Sequence, residues 1–152
     1  MSTLGGLVAH PWHLARRFVT SLSPAAPSIE DEQWADDQLL PGERALWIHL
    51  SNQDRRHSIA VARRFTAVRE GATRAEVAGA LLHDVGKIEC GLGTFGRVAA
   101  TVLGPRTDRF RAYHDHEAIG ARLAAEAGSD PATVELVAEA GPAYAVLGEC
   151  DY

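Results

Sequence analysis

The sequence predicts an all-α fold, and three observations predict it. No segment alternates apolar and polar residues in the manner of a half-buried strand. Helix-start patterns recur, such as Thr73 with Glu76 three residues on and Asp130 before Pro131. Glycine and proline then cut the chain into helix-length pieces at Pro41-Gly42, Gly71, Gly104-Pro105, Gly128 and Gly141-Pro142.

The elements follow in order. Leu4 to Leu22 is a weakly amphipathic stretch carrying Leu7, Trp12, Leu14, Phe18 and Leu22. His10, Pro11, His13, Arg16 and Arg17 interrupt it, so it is not read as a signal peptide. It is expected to pack on its own domain, with contact at a membrane surface as the lesser reading. Ser23 to Ser28 reads as a loop, and Glu30, Asp31 and Glu32 suit the start of a helix through Trp34. Glu43 to Leu50 reads as a short helix. Ser51-Asn52 caps a long one running to about Glu70, and Thr73 opens the next, ending at His83-Asp84. Val98 to Leu103 is expected to be helical. A further helix starts near Thr107 and runs through Ile119 and Leu123 to Gly128. The last two follow Pro131 and cover Tyr144 to Cys150. Residues 1–40 are read as a helical arm and linker, and residues 41–152 as one domain.

Composition narrows the function. The chain has 152 residues, enough for a core without disulfide or zinc staples. A net charge of −5 lacks the basicity of a general nucleic-acid binder. Cys90 and Cys150 read as reduced thiols of a cytoplasmic protein. Of fifteen basic residues only Lys87 is a lysine, which singles it out. Gly91-x-Gly93-x-x-Gly96 has a dinucleotide-loop spacing but lacks the preceding strand that such a loop needs.

The strongest local signal is Leu81-Leu82-His83-Asp84-Val85-Gly86-Lys87. An imidazole and a carboxylate at a turning helix end can converge on one divalent transition metal. Gly86 would let the backbone turn tightly, and Lys87 would set a cation near a bound anion. Alone, a His-Asp pair is more often an ion-paired surface turn. The wider pattern adds His57 upstream, His116 downstream and Asp151 in Gly148-Glu149-Cys150-Asp151.

On Arg56-His57, Ala80 to Lys87, and His116-Glu117-Ala118-Ile119-Gly120-Ala121-Arg122-Leu123, the chain resembles the HD-domain superfamily of metal-dependent phosphohydrolases from about Leu46 to Asp151. The resemblance implies a compact helical bundle and a metal set of His57, His83, Asp84 and Asp151. It implies one divalent ion (Mn, Mg, Co, Ni, Fe or Zn), with Asp84 and Lys87 as catalytic residues. The expected partner is a small phosphorylated substrate, most simply a nucleotide, met by Lys87, Arg55, Arg56, His116 and Arg122. Two-metal members carry extra histidines before the last Asp. Leu136 to Gly141 has none, so a single metal is expected. Glu139 or Asp115 would stand in should Asp151 not ligate. The competing expectation is a non-catalytic module that senses a nucleotide or scaffolds a partner.

Overall fold

The computed structural model describes residues 23–90 and 116–152. The expected helices at 4–22 and 98–103, and the start of the one near Thr107, lie outside the described residues. So do Asp115 and the Gly91–Gly96 spacing.

Within them the protein is all-α. The helices are α1 (Ile29–Gln38), α2 (Pro41–Trp47), α3 (Asn52–Val68), α4 (Arg74–Leu82), α5 (Lys87–Cys90), α6 (His116–Glu126), α7 (Pro131–Val137) and α8 (Tyr144–Cys150). Their starts have local causes. The Ser28 hydroxyl accepts the Asp31 amide at 3.1 Å, and Ser51 accepts that of Asp54 at 3.1 Å. Thr73 and Glu76 form the expected reciprocal box, with amide contacts of 3.2 and 3.1 Å. Pro41 and Pro131 each occupy a first helical turn. Pro41 thus ends one helix by starting the next.

The core is built around α4. Its residues Val77 to Leu82 are all buried, and it packs against α3 and α7 and, at its edges, α1 and α2. Trp47, Phe65, Leu81, Leu82, Leu136 and Val137 fill the space between them. Ala35 of α1 is wholly buried in this same core, so the described part of the expected arm is packed into the domain rather than beside it. Arg74 joins three distant segments, reaching the Gln38 carbonyl at 2.8 Å, Glu43 at 3.2 Å and Asp130 at 2.6 Å. No helix among the described residues is long and apolar enough to cross a membrane.

Two helices end in the same cap with different residues. After α6, Gly128 takes φ +84° while the Gly128 and Ser129 amides bond back to Ala125 and Ala124. After α7, the amides of Glu139 and Ala140 bond back to Leu136 and Glu135, and the left-handed position is Glu139 at φ +59°. Glycine is the usual residue there. A side chain costs about 1–2 kcal/mol in that conformation.

Candidate metal centre

His57 lies in the second turn of α3, His83 and Asp84 follow the end of α4, and Asp151 follows α8. Packing of α8 along α3 and of α3 along α4 closes the distances between them. His57 Nε2 lies 2.8 Å from Asp151 Oδ1, and His83 Nε2 lies 3.7 Å from Asp151 Oδ2. The imidazole rings stand 5.8 Å apart, tilted by 58°. One ligand atom from each of His57, His83 and Asp151 lies within 4.8 Å of the other two. Asp84 is not part of that triplet but adjoins it, its Oδ2 being 3.4 Å from His83 Nε2. The structure therefore brings together all four residues expected to ligate.

The electrostatics of the cluster centre on His83 and two carboxylates. His83 Nδ1 lies 2.7 Å from the Ala80 carbonyl, to which it can only donate. That bond orients the ring and points Nε2 at the cluster. His83 Nε2 is buried with no hydrogen-bond partner. Burial works against charging this ring, but the Asp84 and Asp151 carboxylates outweigh it and push its pKa up to about 9. Burial likewise opposes ionisation of Asp84, yet His83, His116 and Lys87 hold it well below the usual carboxylate range. The hydrogen bond to His57, and then the nearby His83 imidazole, hold Asp151 far below that range too, against partial burial. His83 and the Lys87 ammonium together face the two carboxylates. A nitrogen and oxygen donor set with a buried, unpartnered imidazole nitrogen fits a divalent ion.

The surrounding residues fall into two groups. His116 does reach the site, with Nε2 3.4 Å from Asp84 Oδ1 and Nδ1 3.8 Å from Glu117. Lys87 also reaches it, but through Asp84: Nζ lies 2.6 Å from Asp84 Oδ2, the side chain mostly buried. Among the described residues, the anion that Lys87 meets is this neighbouring carboxylate. The arginines expected to meet substrate have protein partners. Arg55 is held by Glu32 at 2.8 Å and by Asn52, on the face toward α1. Arg56 bonds the carbonyls of Ser23 and Ala25, tying down the segment before α1. Arg122 pairs with Glu126 at 3.3 Å on an exposed face of α6.

Gly86 serves a different purpose from the one expected. Its φ is not positive, so the turn itself does not require glycine. A Cβ there would lie 1.8 Å from the His116 carbonyl oxygen, so Gly86 is the point where the His-Asp turn meets α6. Gly120 mirrors it, with an added Cβ 3.1 Å from the Gly86 nitrogen.

Sequence reasoning missed one supporting residue. Arg64 donates to the carbonyls of Cys150 at 2.9 Å and Tyr152 at 3.1 Å, and its guanidinium stacks 4.2 Å over the Tyr152 ring. It stands seven residues after His57, hence on the same face of α3. That spacing was the available signal. Glu139, the expected stand-in ligand, lies instead with Tyr144 in the wall of a pocket that His83 and Asp151 also line.

No family model, curated protein or solved structure matches the chain.

Proposed function

We propose that this protein is a metal-dependent phosphohydrolase of the HD-domain superfamily, cleaving a small phosphoester in the cytoplasm. The observation that carries the reading is the meeting of His57, His83 and Asp151 within 4.8 Å, beside Asp84 and around a buried unpartnered nitrogen. One divalent ion would be held by these four side chains. Two imidazoles favour Mn, Fe, Co, Ni or Zn over Mg. When bound, such an ion supplies an activated water and a Lewis acid for a phosphoryl oxygen. The chain's own residues do the rest. Ala80 fixes the His83 ring, Lys87 fixes Asp84 and offsets its charge, and His116 stands on the other oxygen of Asp84, as the imidazole that would give a proton to the leaving group.

A second reading, a non-catalytic module that senses a nucleotide or scaffolds a partner, draws support from the arginines. Arg55, Arg56 and Arg122 are engaged by protein acceptors. Metal content and turnover separate the two. The protein loaded with Mn or Co should bind about one ion per chain and hydrolyse a member of a phosphoester panel. Asp84→Ala should lose turnover and most of its metal with helical content unchanged. Stoichiometric metal with no turnover of any phosphoester selects the second reading. A wild-type chain that binds no divalent ion overturns the first.

A further inference from the structure

Both oxygens of Asp84 already face a nitrogen. Oδ1 lies 3.4 Å from His116 Nε2, and Oδ2 lies 2.6 Å from Lys87 Nζ. Oδ2 is also the oxygen that faces His83 Nε2, at 3.4 Å. The ammonium therefore sits on the carboxylate oxygen that an ion bound to His83 would take.

The contact is built into the turn. The Lys87 amide bonds the Asp84 carbonyl at 3.0 Å, and the Ile88 amide bonds that of Val85 at 3.1 Å. Gly86, between Asp84 and Lys87, lies hard against α6. The two side chains thus leave one wound turn that is clamped from outside. They are 6% and 15% exposed, so water screens the pair little.

We infer that Lys87 sets the metal specificity of this centre, by drawing on Asp84 so that an ion is held chiefly through His57, His83 and Asp151. The inference rests on the metal-centre reading above and concerns which ion that centre keeps. One ligand atom each from His57, His83 and Asp151 lies within 4.8 Å of the other two, and Asp84 stands outside that triplet. The triplet offers two nitrogens and one oxygen. The second oxygen donor carries a competing cation. Ligating imidazoles are neutral, so the four side chains would bring two negative charges, and Lys87 offsets one of them. Carboxylates are the donors that suit Mg and Mn, whereas imidazoles suit Ni and Zn. An ammonium on a carboxylate oxygen weakens the first kind of donor and leaves the second untouched. The loss falls harder on Mn than on Ni.

The test is a titration of the protein with Mn and with Ni, read by calorimetry. Lys87→Met keeps the length of the side chain and removes its charge. It should raise Mn affinity about tenfold, the size of one hydrogen bond between charged groups that no longer competes. Ni affinity should rise less, so the Ni-over-Mn preference should narrow by roughly threefold or more. Lys87→Arg retains the charge and should keep the parent's preference. Lys87→Gln, neutral but still able to donate to Asp84, gives the same reading as Lys87→Met should the apolar side chain not be tolerated beside a buried carboxylate. Equal gains for both ions in the neutral variants, or weaker binding of both, overturn the inference, because Lys87 then acts on all ions alike or merely supports Asp84. A preference that narrows as far in Lys87→Arg overturns it too, since charge is then not the cause. In each of these cases the metal centre itself stands. A parent chain that binds neither ion overturns the metal centre and the inference together.

Discussion

Gly86 shows how one missing methyl group can position a site. Its backbone lies so close to α6 that a Cβ would sit 1.8 Å from the His116 carbonyl oxygen and 2.6 Å from its carbon. Backbone cannot swing aside as a flexible side chain can. Gly86→Ala should therefore separate the His-Asp turn from α6 and destabilise the fold by about 1–3 kcal/mol, as overpacking does. Urea unfolding measures this, and an unchanged midpoint would show the turn to be slack. His116 should move off Asp84 in the same variant. The His-Asp signature was legible in the sequence because its residues are adjacent. The purpose of Gly86 was not, because the atom it avoids belongs to a residue thirty positions away. The partners of the arginines were hidden for the same reason. Arg55 and Arg56 flank His57 in sequence, but Glu32, Ser23 and Ala25 claim them in space.

Elements were more legible than side-chain partners, because helix ends are decided locally. Thr73 and Glu76 were readable as a box, and α4 starts there. The structure adds a tertiary partner. Arg69, just past α3, forms paired contacts with Glu76 at 3.0 and 2.8 Å, so the box also joins α3 to α4. The Arg69 hydrogen bonds hold the Glu76 carboxyl below its ordinary 4.5, against partial burial. The sign follows from a folded pKa below the unfolded one. The stabilisation is fully present above about pH 4.5 and fades as pH falls through the lowered folded value. Glu76→Gln should therefore melt below the parent at pH 7, with the gap closing as pH drops beneath 4.5. A gap that is constant from pH 7 to pH 3 would mean that packing, not charge, makes the difference. Asp130 shows the limit of local reading. It stands at the N-cap before Pro131 as expected, but its side chain makes no cap bond and goes instead to Arg74.

At the scale of the whole molecule, the candidate site depends on joining distant parts of the chain. His57 and Asp151 stand 94 residues apart in the chain. The fold answers this through α3, which supplies both His57 and the group that fixes Asp151. Arg64 bonds the carbonyls on either side of Asp151, those of Cys150 and Tyr152, and stacks on the Tyr152 ring. Cys150 and Leu147 anchor α8 in the core beneath it. With its flanking carbonyls held, Asp151 faces the two imidazoles without its own backbone needing to be rigid. Arg64→Ala should thus leave the helical core nearly intact and weaken divalent metal by roughly 10–100-fold, the usual effect of removing a group that orients a ligand. Arg64→Lys should recover only part of that affinity, because an ammonium cannot span two carbonyls and cover a ring as a planar fork does. Asp151→Asn should weaken metal at least as much, and adding Arg64→Ala to it should cost little more, since both changes remove one ligand. Metal titration of the double-mutant cycle measures this. Losses that simply add would show that Arg64 does not act through Asp151.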